Sequence, residues 1–376
     1  MDNIFTPAKC YINLAALSRN FKKIGSPESV MPVIKTDGYG HGLLQVAHVL
    51  DECGAQYFAV GTVYEGKLLR EKGFKQHILP LLSINATDEW QISIAHDITL
   101  LIHDFESLNK AIQFCPSDKK ISIAIKFDTG MKRLGFSVED IPHLFELLQS
   151  NDNITPTIIM SHLACADMPG EITFTRAQIE RFTSICVSIS DKFPKIKRSL
   201  ANSAATLGLP ETRYELCRPG LALYGGNPFA GTIWEERGKD LEAVMSVNTP
   251  ILQIRDLKAG QSVSYGRLFT APTNMQIAII GAGYATGFAR ALSNNSEVLV
   301  NGQRAQQIGR VCMGLTIIDI TNVKDVHKGD LAWIIGGQAN PGERPITIQE
   351  IADNLSTIPY EILGIIGSTN QRIYSD

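Results

Sequence analysis

Through about residue 225 the chain repeats one pattern, a short run of consecutive apolar residues followed by a stretch with apolar positions at helical spacing. The runs are MPVIK (31–35), YFAVG (57–61), HILPLL (77–82), ITLLI (98–102), ISIAIKF (121–127), TIIMSH (157–162), SLAN (199–202) and GLALYG (220–225). They are continuous rather than alternating, as strands buried on both faces are. Between the first two, LLQVAHVLDECG places Leu43, Val46, Ala47 and Leu50 on one helical face, and Gly54 stands where a C-terminal cap belongs. Eight buried strands alternating with helices predict an α/β chain built on a (β/α)8 TIM barrel, which typically takes ~250 residues. After about residue 238 the runs VMSVNTPILQI, QSVSYG, MQIAIIGAG, EVLVNG, QQIGRVCMGLTIIDI and LAWIIGG are joined by turn signals such as KAG, NGQ and KGD. They predict a mostly-β C-terminal domain with one short helix near Thr347 to Leu355. The expected domains are 10–237 and 238–376, joined at GTIWEERG (231–238), with residues 1–9 a candidate addition to the second.

Composition narrows the class without changing that picture. The 376 residues are 44% hydrophobic and 19% charged, values of an ordinary folded protein. A net charge of -3, with no run of Lys or Arg, excludes a basic nucleic-acid or membrane surface. The start, MDNIFTPAKCYINLAAL, lacks a basic, apolar secretory leader, and no stretch nears the ~18 apolar residues of a membrane span. Seven cysteines without a CxxC pair fit reduced thiols in a cytoplasm.

The candidate chemistry begins in VIKTDGYGHG (Val33 to Gly42), where an apolar strand delivers Lys35 into a glycine-rich segment. A partly desolvated lysine favours its neutral, nucleophilic form and suits a Schiff base, for which pyridoxal phosphate (PLP) is the common partner. Other polar residues also collect at strand ends: Lys126 and Asp128 after strand five, His162 after six, Asn202 and Ser203 after seven, and Arg218, Pro219 and Gly220 before eight. In a barrel of this kind the working residues cluster at that C-terminal face. The eight histidines show no HExxH or Cys/His spacing, so no metal site is expected, and GAGYATG (281–287) lacks the GxGxxG register of a dinucleotide site.

VIKTDGYGHG, KFDTGMKRLGF (126–136), MSHLACAD (160–167), ANSAATL (201–207), CRPGLALYG (217–225), VSYGRLF (263–269), GRVCMG (309–314) and PYEIL (359–363) together resemble the alanine racemase family, in order and across both domains. That resemblance implies PLP on Lys35 and two opposed bases, Lys35 and Tyr265, because a proton must leave one face of the α-carbon and return on the other. Tyr265 would reach the site from the partner subunit of a head-to-tail homodimer. A tyrosine has a reference pKa near 10, so ionising one at pH 7 costs roughly 4 kcal/mol unaided. His162 and Arg218 fill the network positions that lower this cost in the family, and His162 would stack on the cofactor ring.

Arg218 would also face the pyridine nitrogen; a guanidinium only donates, so the ring becomes a weaker electron sink, which favours reprotonation over other outcomes. The phosphate would be held by Tyr39, Ser203, the amides of Gly220 and Leu221, and Tyr360, with Asn202 beside them. Arg133 and the Met313 amide would take the substrate carboxylate, and Lys126 matches a lysine carbamylated in the family. Asp167, Arg290 and Arg310 would line the entrance. Two departures stand out: Gly314 and Thr286 occupy positions where the family usually carries aspartate.

The reading is therefore a PLP-dependent, two-base interconversion of L- and D-alanine supplying peptidoglycan, with Tyr265 and Tyr360 leaving room for little more than a methyl group. Open alternatives are a racemase of serine, lysine or several amino acids, a decarboxylase of the same fold, and a non-enzymatic PLP carrier.

Overall fold

The computed structural model describes residues 7–376, so the readings that fall on residues 1–6 lie outside the described residues. The chain divides into two units. One comprises Leu17–Gly38 and Leu43–Glu242; the other comprises the segment ending at Ala16, Tyr39–Gly42 and Ala243–Asp376.

In the first unit the apolar runs form parallel strands around one ring. Strand two (Tyr57–Val60) pairs with strand three (His77–Pro80). Strands four (Leu100–Ile102), five (Ile121–Lys126), six (Ile154–Met160) and seven (Lys197–Ser199) pair in sequence order. Single backbone bonds complete the circle. Thr99 donates to the Ile78 carbonyl (3.0 Å), Ile34 to Ala59 (2.8 Å), Val33 to Pro219 (2.9 Å) and Arg218 to Ala201 (2.8 Å). The chain is thus a (β/α)8 barrel in this unit, with helices such as Leu43–Glu52, Val63–Glu71 and Ile172–Ser190 returning between strands. Leu43, Val46, Ala47 and Leu50 are all buried on their helix, and Gly54 caps it in the left-handed region (φ 83). One element differs from expectation. GLALYG is not strand eight: Leu221–Tyr224 is a 3-10 turn, and the eighth staves are the residues just before it, Leu216 to Pro219.

The second unit is a closed antiparallel ring. Its order is Met275–Ile280, Thr316–Asp319, Gln303–Ile308, Glu297–Val300, Leu331–Ile335 and Met245–Leu257, and the last pairs again with the first. Closure leaves the ring without a free edge. The thirteen-residue strand Met245–Leu257 is long enough to serve both the ring and an extension. On that extension Lys9–Asn13 runs antiparallel to it and parallel to Gln371–Ser375. Residues 10–16, which the sequence pattern assigns to the barrel, therefore group with the β-rich unit instead.

The expected short helix is Ile348–Asn354, capped by Thr347 Oγ1 accepting from the Glu350 amide (3.1 Å). A second helix, Pro359–Thr369, carries PYEIL and was not anticipated from the strand-like pattern. It meets Tyr39–Gly42 closely, because a Cβ on Gly367 would lie 2.1 Å from the Gly40 carbonyl oxygen, so neither position has room for a side chain. Among the described residues no helix is long and apolar enough to cross a membrane.

Candidate active site

Lys35 follows strand one and opens a turn that winds the wrong way for L-residues. Thr36 (φ 56), Asp37 (φ 54), Gly38 (φ 61) and Tyr39 (φ 54) are all left-handed. A non-glycine residue there costs roughly 1–2 kcal/mol, so such a turn persists only where its surroundings over-determine it. Two carboxylates do so. Asp37 Oδ1 accepts from the Leu43 amide at the start of the next helix (2.7 Å), and Glu65 Oε1 accepts from the Asp37 amide (3.1 Å).

Around Lys35 the barrel rim gathers cations. Burial, then Arg133, lowers the Lys35 pKa, with Glu65 opposing. Lys126, the buried last residue of strand five, is lowered to about 8 by burial, then by Arg218, Arg133 and Lys35. Desolvation, followed by Arg218, Arg133, Lys126 and Lys35, holds His162 well below the usual histidine range. Burial brings Arg218 down to about 10. Its Nη1 donates to Ser199 Oγ and its Nη2 to the Ser161 carbonyl, which fixes the guanidinium in the wall and leaves Nε–H uncommitted to these partners. Arg133 stands exposed on the loop after strand five, and Asp167 on the loop after strand six.

A folded-state pKa of about 8 at Lys126 has a testable sign. Between that value and the ordinary 10.5 the unfolded chain binds more protons than the folded one, so stability rises with pH across this window. Relative to Lys126→Met, the unmodified chain in CO2-free buffer is expected to gain on the order of 3 kcal/mol of unfolding free energy from pH 8 to 10.5. Denaturant unfolding at a series of pH values measures this, and a constant difference between the two chains would refute it.

Beyond strand seven, Asn202 Oδ1 caps the helix Ser203–Gly208 by accepting from Ala205 (3.0 Å), while its Nδ2 donates to the Leu163 carbonyl (3.4 Å). Asn202 thus holds the rim. Ser203 is buried, and its Oγ accepts from the amides of Gly220 (2.9 Å) and Ala222 (3.3 Å), so its own hydrogen is left to donate. The Gly220 amide is directed at Ser203 rather than outward, and Leu221 opens the following 3-10 turn.

The β-rich unit positions the remaining candidates. Tyr39 is buried, and its ring lies 5.8 Å from that of Tyr360 on the helix Pro359–Thr369. Burial, then Tyr360, pushes the Tyr39 phenol well above its usual range, so it stays a protonated donor. Tyr265 stands 70% exposed, flanked by left-handed Ser264 (φ 62), Gly266 (φ 69) and Arg267 (φ 52). Ser264 Oγ donates to the Arg310 carbonyl (2.6 Å), which ties this turn to the GRVCMG loop carrying exposed Met313. Arg290 is exposed, and Arg310 Nε is buried without a partner.

The two departures from the family pattern differ in kind. Thr286 is buried and closes its own turn, donating to the Gly283 carbonyl (2.8 Å) and accepting from the Gly283 amide (3.2 Å). A Cβ on Gly314 would meet nothing within 4 Å, so packing does not forbid a carboxylate there.

Glu65, Ser161, Ser199 and Gln178 are site-supporting residues that the sequence reading missed. Gln178 is fully buried and donates to the His162 carbonyl (3.1 Å). Glu65 alone had a sequence signal, the Thr62-x-x-Glu65 capping box.

Comparison with known proteins agrees across the whole chain. Residues 12–228 match the family model of the alanine racemase N-terminal domain, and residues 244–374 that of the C-terminal domain. An alanine racemase of Nitratidesulfovibrio vulgaris is 43% identical over 358 residues, covering 95% of each chain. One from Lawsonia intracellularis is 39% identical over 363 residues, with 95% of each chain covered. Among solved structures, the alanine racemase of E. faecalis superposes with a TM-score of 0.90 at 27% identity over 100% of both chains. That of Bartonella henselae, with covalently bound pyridoxal phosphate, gives 0.86 at 26% identity over 98% of this chain and 99% of that one. The chain belongs to the alanine racemase family, and it is an isomerase.

Proposed function

We propose that this chain interconverts L- and D-alanine with PLP, using Lys35 and Tyr265 as opposed bases in a homodimer whose sites draw on both subunits. The observation that carries this reading is the rim of Lys35, Lys126, His162 and Arg218, where burial and then the charges of Arg218, Arg133 and Lys35 lower the Lys126 and His162 pKa values. Such a cluster calls for an anion. A phosphorylated aldehyde fits it: an amine for the carbonyl and the Ser203 hydroxyl with a hydrogen to give the phosphate, to which the family resemblance adds the hydroxyls of Tyr39 and Tyr360.

Bound there, PLP supplies the electron sink that makes the α-proton of an attached amino acid acidic. Lys35 Nζ takes or returns that proton on one face, and burial lowers the amine's pKa, which favours the neutral form a base needs. Tyr265 Oη does the same on the other face, and its exposure leaves it available to a partner's site. Arg218, held by Ser199 and Ser161, would offer the cofactor's ring nitrogen a donor and no proton acceptor. Arg133 and the Met313 amide bind the substrate carboxylate. The depressed Lys126 amine is reactive towards CO2, and its carbamate would orient Arg133 by a charge-assisted pair; intact-protein mass without added CO2 would count against that. D-alanine for peptidoglycan, made in the cytoplasm, is the physiological role this activity serves.

Chiral chromatography of purified protein with PLP, offered alanine, serine and lysine, tests the reading, and alanine ranking last would overturn it. Carbon dioxide release from lysine or ornithine would point to the decarboxylase, which Arg218 opposes. The open space at Gly314 favours a second reading, a racemase of broader substrate range. Gly314→Asp is expected to fold with stability within about 0.5 kcal/mol of the original and to raise the alanine-to-serine ratio of kcat/KM. An unchanged ratio would remove Gly314 from the question.

A further inference from the structure

We propose that Glu65 is a positioning residue for Lys35: its two carboxylate oxygens fasten the left-handed turn after strand one to the end of strand two and so aim the lysine. The inference rests on the role proposed for Lys35 and adds the residue that sets its direction.

Glu65 is the third residue of the helix Val63–Glu71, where a capping box with Thr62 already anchors it. Its Oε2 accepts from the amides of Gly61 (2.6 Å) and Thr62 (3.2 Å) at the end of strand two. Its Oε1 reaches across to the Asp37 amide (3.1 Å), in the centre of the left-handed turn. A capping box needs only the first of these oxygens. The second is spent on a neighbouring strand's turn, two residues from Lys35. Packing repeats the message, because a Cβ on Gly61 would lie 3.0 Å from Glu65 Oε2 and 3.4 Å from the Lys35 Cβ. Gly61 thus leaves the gap through which the carboxylate and the lysine stem approach each other.

Charge gives the clamp a second consequence. The charges acting on Lys35 are Arg133 on the cationic side and Glu65 on the anionic side; the nearby Lys126 amine and the His162 ring both feel Lys35, and His162 is held neutral by burial. Removing the Glu65 charge would deepen the depression of the Lys35 pKa; shortening the side chain would loosen the turn and keep the charge.

Holoenzyme carrying Glu65→Gln, Glu65→Asp or Gly61→Ala separates these effects. For Glu65→Gln the expected results are PLP release at least about 10-fold faster and a shift of the acidic limb of kcat. The limb should move down by roughly half a pH unit or more in the direction of turnover where Lys35 takes the proton. It should stay in place in the opposite direction, where Tyr265 takes it. Glu65→Asp and Gly61→Ala should speed release and leave both limbs unmoved, and they carry the test if Glu65→Gln fails to fold. A structural capping role alone would lower the melting temperature without a limb shift confined to one direction. Release and limbs unchanged in every folded variant would overturn the proposal. Borohydride reduction and peptide mapping of the unsubstituted holoenzyme keep the two ideas apart: label absent from Lys35 would sink the functional reading, whereas label on Lys35 with inert variants would sink only the role of Glu65.

Discussion

Tyr265→Phe is expected to lower kcat/KM for alanine by roughly 10²–10⁴, equally from the L and the D side. The substitution removes one hydroxyl from a ring that is 70% exposed, so little packing is lost and stability should change by no more than about 0.5 kcal/mol. The loss is then chargeable to proton transfer. Each direction of turnover needs the phenol, once as base and once as acid, and no neighbouring group on the same turn replaces it. Progress curves started from each enantiomer measure this. Full activity of the variant would show that Tyr265 is not one of the two bases, and absence of racemisation by the unsubstituted holoenzyme would favour a PLP carrier.

Lys35→Ala is expected to abolish racemisation and covalent capture of PLP together, because one amine both anchors the cofactor and moves the proton. The fold should survive, since the deletion removes a desolvated amine that feels the Arg133 charge. Mixing this variant with Tyr265→Phe gives a sharper result. If every site combines Lys35 of one subunit with Tyr265 of the other, a mixed dimer holds one intact site and one doubly defective site. Random exchange of equal amounts should then restore about a quarter of the original specific activity. No restoration after verified exchange would show that each chain builds its own site.

The barrel was legible because strands buried on both faces leave continuous apolar runs, and seven of the eight runs fall on or beside the observed staves. The eighth misled because GLALYG is more apolar than the true stave, which carries Cys217, Arg218 and Pro219. That stave carries a buried cation because Ser199 and the Ser161 carbonyl hold its arginine in the wall. The helix Pro359–Thr369 was missed because ILGIIG reads equally well as a strand. The placement of Lys9–Asn13 is set by its pairing with residues far along the chain, and no local pattern carries such information.

At the site, the positions of Lys35, Lys126, His162, Ser203 and Arg218 at one rim followed from strand order alone. The left-handed run did not, since Thr36, Asp37 and Tyr39 are ordinary residues in an unusual conformation. Nor did the inward turn of Thr286, whose hydroxyl meets its own backbone. Local residue chemistry names a candidate; only the packing tells which way it points.

The strand Lys9–Asn13 imposes an order of events on synthesis. It leaves the ribosome before the barrel, yet it sits between Met245–Leu257 and Gln371–Ser375, which emerge only after the barrel. The barrel staves can pair while translation continues, but this one strand must wait with both edges open. Loop closure over such a span is slow relative to local pairing. The newly made chain is therefore exposed to misassociation through Lys9–Asn13 until both of its partner strands have been made.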